Sequence, residues 1–162
     1  MQKNNTPFNR FIQSMKINYE KWRDGIGYDI TALQEANTIE RRQIEKILVN
    51  KPRLDWRDIE ALAILDTPKA RTAILVALHG GNNEVNMAVL RFAPSLVSDQ
   101  VKTKVLVKAL KSASFFDGFS HTMKIVEEYH PEEVVNSLFH GLIHREGGIA
   151  AVSYTHLTLP TN

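Results

Sequence analysis

The sequence predicts an all-α protein: a right-handed α-solenoid of stacked helical hairpins, preceded by an irregular helical segment. Three observations predict it. Apolar residues recur at helical spacing along most of the chain, and strand-like alternation between hairpin turns is absent. Caps and breakers mark helix starts near residues 68, 83, 99, 115 and 131, a step of about 15–16 residues. Helices of ten or eleven residues cannot bury an apolar face alone, whereas a stack of them can, which is why such a period signals a solenoid.

Composition bounds the rest. The chain has 162 residues, 43% hydrophobic and 23% charged, enough for a domain with its own core. There is no cysteine, which excludes a disulfide framework or a thiolate metal site. The opening MQKNNTPFNR is polar, and no apolar run approaches the roughly 18 residues of a membrane span, so a cytoplasmic protein is expected. Residues 1–54 hold ten Lys/Arg against six Asp/Glu, and residues 55–162 hold ten against twelve. Neither balance is the footprint of a nucleic-acid binder. Three divisions are expected: a helical segment at 1–54 with a glycine-containing loop, repeats over 55–151, and a tail at 152–162.

The elements follow in order. In PFNRFIQSMKI, residues 7–17, Phe8, Phe11, Ile12 and Met15 share helical spacing, with Thr6 as cap and Pro7 at the first position. Gly25 and Gly27 then rule out a comfortable helix through their loop, which Tyr19, Trp22 and Tyr28 flank. Asp29 caps a short helix. Thr38 is read as the cap of the next, whose Ile39, Ile44, Ile47 and Leu48 are read as one apolar stripe. Asp55 caps a helix containing Trp56, Ile59, Leu62, Ala63 and Leu65. Asp66-Thr67-Pro68 is a stop and restart, and Gly80-Gly81 ends the helix that follows. Asn82-Asn83-Glu84 caps the next, Ser98-Asp99 the one after. A weaker helix lies within 115–129, and His130-Pro131-Glu132-Glu133 opens the last, closed by Gly147-Gly148. Ala70, Val85, Val101 and Val134 stand at a similar offset after their caps.

ALAILDTPKARTAILVALHGGNNEVNMAVLRFAP resembles a HEAT-like repeat of the short bacterial type, also found in phycobilisome lyases. Asp66-Thr67-Pro68 is similar to the turn that joins the two helices of such a repeat. Asn82-Asn83-Glu84-Val85-Asn86 is similar to the turn between repeats, with Asn83 in place of Pro and Asn86 in place of Arg. The family's Arg ties neighbouring repeats, so this junction is expected to be looser. The resemblance covers roughly 55–145 and implies a fold, since these repeats serve many functions. A separate resemblance concerns the end of the chain: VSYTHLTLPT, residues 152–161, looks like a translated sequencing adapter. The tail is therefore expected to be non-native and the array truncated, leaving an uncapped end as a route to self-association.

No motif carries recognisable catalysis: there is no phosphate-binding loop, no GxSxG and no cysteine nucleophile. His140 and His144 stand at i, i+4, but HGLIH lacks the glutamate of a zincin helix, and no third ligand is evident. No cofactor or metal is expected. Glu127, Glu128, Glu132 and Glu133 around His130 suit a helix start. Lys104, Lys108 and Lys111 share a face that suits solvent, phosphates or an acidic partner.

The segment WRDGIGYD is the strongest binding candidate. Trp22 and Tyr28 offer contact area at low entropy cost, and Arg23, Asp24 and Asp29 offer directional bonds. Arg57, expected at the surface beside a buried Trp56, joins them. The competing structural account has Trp22 and Tyr28 closing the end of the stack. The expected function is a non-catalytic protein-interaction module, an adaptor or immunity-type binder of another protein. The alternatives are enzymes: a HEAT-like DNA glycosylase, for which Trp22, Asp24, Trp56 and Asp58 supply the residue types, or a bilin-lyase-type protein.

Overall fold

A computed structural model describes residues 6–80, 82–112 and 119–144. Among these residues the protein is all-helical, without a strand. The expected non-native tail at 152–162, Gly147-Gly148 and the helix start at 115 lie outside the described residues. No helix of the described residues is long and apolar enough to cross a membrane. The chain divides into two compact units, Met1–Gly81 and Asn82–Asn162.

The first unit holds α1 (Pro7–Ser14), α2 (Tyr19–Arg23), α3 (Ile30–Glu35), α4 (Thr38–Val49), α5 (Trp56–Leu65) and α6 (Pro68–Gly80). The Thr6 hydroxyl accepts from the Asn9 amide, and Pro7 opens α1 as the sequence predicts. α1 packs on α3 and α4, α3 on α5, and α4 on both α5 and α6. The core is Phe11, Leu33, Ile44, Leu48, Ile59, Leu62 and Ile74, all essentially inaccessible. Phe11 meets Tyr28 edge to face, with ring centroids 5.6 Å apart.

Two details of α4 differ from the sequence reading. Asn37, not Thr38, is the cap: its side chain accepts from the Ile39 and Glu40 amides, and Glu40 accepts from the Asn37 amide in return. The stripe is also narrower, because Ile39 is exposed and Ile47 partly so, while Ile44 and Leu48 are buried. At about 100° per residue, five positions turn Ile39 some 140° away from Ile44. Arg41 occupies the inward edge instead, donating to the Leu33 and Ile64 carbonyls near the ends of α3 and α5.

Asp55 caps α5 through a reciprocal box with Asp58. α5 stops where Asp66 adopts a left-handed conformation, φ 51°. Arg71 forks across both oxygens of that carboxylate at 2.8 and 3.0 Å, holding Asp66 below its ordinary pKa. Thr67 restarts the chain: its hydroxyl accepts from the Ala70 amide and bonds Glu45. Pro68 begins α6 as the sequence predicts.

The second unit holds α7 (Asn83–Phe92), a 3₁₀ turn at Pro94–Leu96, α8 (Asp99–Ser112), α9 (Phe119–Glu128) and α10 (Glu132–His144). Asn82 caps α7 through the Val85 amide, and Ser98 caps α8 through the Val101 amide. α7 packs on α8 and α9, and α8 packs on α9 and α10. Val85, Val89, Leu106, Met123, Val126 and Val134 form the core.

Of the four residues at a similar offset after their caps, Ala70, Val85 and Val134 are buried and Val101 is exposed. The inward face of α8 is Thr103, Leu106 and Leu110, and Val101 again lies five positions, about 140°, from Leu106. Thr103 turns inward because it has a partner. The Tyr129 hydroxyl donates to the Asp99 carbonyl at 2.9 Å and therefore accepts from the Thr103 hydroxyl at 2.8 Å. One phenol thus ties the end of α9 to the first turn of α8. Asn86, the residue standing where the family pattern has Arg, is buried, and its Oδ1 has no hydrogen-bond partner among the described residues.

Candidate functional site

The glycine loop does contain a helix, the five-residue α2, which precedes the glycines. Asn18 caps it through the Lys21 amide. Gly25 closes it in the left-handed region, φ 63°, where a side chain would be strained. Gly27 lies against Trp56: a methyl there would stand 3.4 Å from the indole and 3.3 Å from the Glu60 carboxylate. The chain therefore turns sharply at one glycine and packs flush at the other.

The six candidate residues separate into two sets. Tyr28, Asp29 and Arg57 belong to the frame. Arg57 is 4% exposed, correcting the expectation of a surface residue, and the half-buried Trp56 is less enclosed than expected. Arg57 Nε donates to the Ile26 carbonyl at 2.8 Å, its guanidinium lies 4.6 Å from the centre of the Trp56 ring, and Asp55 pairs with it at 3.6 Å. It is inward because the loop offers a carbonyl that no backbone donor among the described residues reaches. Asp29 caps α3 through the Ala32 amide at 2.8 Å and accepts from Arg10, which also pairs with Glu35 at 2.7 Å.

At the centre is Asp58, fully buried. Its Oδ1 accepts from the Tyr28 hydroxyl at 2.9 Å and from Lys51 at 2.7 Å. Its Oδ2 accepts from Lys51 at 2.7 Å and from the Asp55 amide at 2.9 Å. Four donor contacts fill the carboxylate, so its burial is matched by bonding. Burial raises the Tyr28 pKa well above the ordinary phenol range, and the Asp58 charge raises it further. Lys51 was visible in the sequence only as a helix terminator. The signal that could have found it is its position seven residues before Asp58 across a Pro-containing turn. For the glycosylase alternative, Asp58 is occupied by this network and Trp56 by Gly27 and Arg57.

Trp22, Arg23 and Asp24 are exposed. Trp22 is 63% exposed, Tyr19 is 70% exposed and Ile26 is 47% exposed. The Tyr19 and Trp22 rings stand 6.0 Å apart. Arg23 and Asp24 pair with each other at 2.8 Å. The structural account that has both aromatics closing the fold fits Tyr28 and not Trp22.

In the second unit, Lys104, Lys108 and Lys111 do share a face, and with Val107 and Glu133 they line an open, shallow groove. A smaller groove of about 280 Å³ lies between α7, α8 and α9, lined on its charged side by Arg91, Lys102, Lys124 and Glu128. The sequence reading did not bring these cations together, because each stands on a different helix. Among the described residues no group of three or more His, Asp or Glu side chains is placed to hold a metal. The side chains of His121 and His144 lie outside them. Set against family models, curated proteins and solved structures, the chain matches none of them.

Proposed function

We propose that the protein is a non-catalytic interaction module, a HEAT-like stack of helical hairpins that binds another protein through the Tyr19–Trp22–Ile26 edge, in the manner of an adaptor or immunity-type binder. The observation that carries this reading is the exposure of two aromatic rings and an isoleucine on a short segment whose base is fixed by Arg57 and Asp58. Pre-fixed aromatic anchors lower the ordering cost of association, which is how a few residues come to dominate an interface. Arg23 and Asp24 add polar contacts at its rim. The packing of α4 on α6 and of α7 on α9, each helix against the next but one, supports the stacked-hairpin reading within each unit.

The test is a photocrosslinking amino acid at Tyr19 in the full chain, expressed in cells of its source. A discrete protein adduct is expected, and Trp22→Ala should abolish it while leaving the melting temperature unchanged. Crosslinks that are absent, or that persist equally in Trp22→Ala, would refute the reading.

A further inference from the structure

The second unit carries a groove of its own. The groove between α7, α8 and α9 has a volume of about 280 Å³. That is below the roughly 300–1,000 Å³ typical of small-molecule pockets, and is suited to a side chain with its flanking backbone. Its floor is apolar: Leu90 is 3% exposed, and Ile125 and the Tyr129 ring are half-buried. Its rim is cationic. Residues 82–162 contain seven Lys/Arg and eight Asp/Glu, so the unit as a whole is not basic. Yet three of those seven cations, Arg91, Lys102 and Lys124, line this groove against one carboxylate, Glu128.

The cations are also held differently. Lys102 is stationed, its ammonium 4.8 Å from the centre of the Tyr129 ring and 3.4 Å from Asp99. Tyr129 is itself fixed by Thr103 and the Asp99 carbonyl. Arg91 lies 4.8 Å from the Phe92 ring. Among the described residues no carboxylate stands within ion-pair distance of Arg91 or Lys124. By contrast, the row at Lys104, Lys108 and Lys111 lines a groove that is little more than an open surface, and Lys108 and Lys111 already have partners.

From this geometry we propose that the groove binds an acidic peptide segment of a partner protein, one apolar side chain resting on Leu90, Ile125 and Tyr129 and flanking carboxylates meeting Arg91, Lys124 and Lys102. Charge complementarity selects the segment, and the apolar floor distinguishes it from a bare phosphate. The site belongs to the other unit from Trp22, and it stands or falls without that edge.

The test selects displayed random peptides on the full chain. The expected binders carry carboxylates on both sides of an apolar residue. Against Arg91→Glu/Lys124→Glu their affinity should fall at least about tenfold, the effect of losing two partly exposed ion pairs, while Trp22→Ala binds them as the parent does. Should that charge-reversed chain melt lower, Arg91→Gln/Lys124→Gln gives the same comparison, with a several-fold loss expected. The proposal is overturned if selection yields no binder or only neutral or basic ones. It is equally overturned if the binders ignore both double variants, or if a single-stranded oligonucleotide competes better than any selected peptide. Loss of binding in Trp22→Ala alone would assign the peptides to the first unit and overturn it as well.

Discussion

Asp58 is the residue whose chemistry is most fully determined by its surroundings. Breaking a buried ion pair strands the remaining charge, so Lys51→Met should cost about 3 kcal/mol in denaturant unfolding, and adding Asp58→Asn should recover part of that loss. The Tyr28 phenol supplies a pH signature. Its pKa is raised in the fold above the 10.0 of a free phenol, so the folded chain keeps a proton that the unfolded chain gives up. The contribution is fully present below pH 10 and is lost as pH rises beyond it. Above that pH the parent should lose up to about 1.4 kcal/mol per unit more than Tyr28→Phe, measured by urea unfolding across the alkaline range. None of this was legible in order along the chain. Tyr28 and Asp58 are thirty residues apart, and only the fold reveals that the phenol and carboxylate are partners.

Helix boundaries were largely legible, because caps and breakers act within a few residues. Pro7, Asp29, Asp55, Pro68, Asn82 and Ser98 all stand where the sequence places them. Two misreadings have local causes. Thr38 has the right chemistry for a cap, but Asn37 has it too, and the return bond from Glu40 decides between them. Asn37→Ala should therefore lower stability by about 1 kcal/mol, while Thr38→Ala should stay within about 0.5 kcal/mol of the parent, as thermal melts would show. Ile39 was assigned to the apolar stripe because apolar type was taken for position. It lies five residues before the buried Ile44, a separation that helical geometry turns out to solvent, as it does for Val101 before Leu106. At the inner positions stand Arg41 and Thr103 instead, polar residues whose bonds cross to other helices.

For the molecule as a whole, the helical class was legible, since composition and periodicity agree along the chain. The division at Gly81–Asn82 was not, because α5 and α6 look like the start of the repeats yet pack on α3 and α4. A fragment covering residues 1–81 should accordingly give a helical circular-dichroism spectrum and a cooperative melt that Lys51→Met lowers; a featureless spectrum would show that the first unit needs the rest of the chain. The candidate site was half legible. Trp22 could be named from its type and loop, whereas the sorting of Tyr28, Asp29 and Arg57 into the frame depended on distant partners. That sorting bears on how the chain can diverge. Asp58 accepts from a phenol, an ammonium and an amide at once, so nearly every replacement breaks several bonds together. Trp22 meets solvent and can be exchanged with little effect on folding. A lineage carrying this architecture is free to trade the exposed ring for another, while the buried carboxylate is effectively frozen.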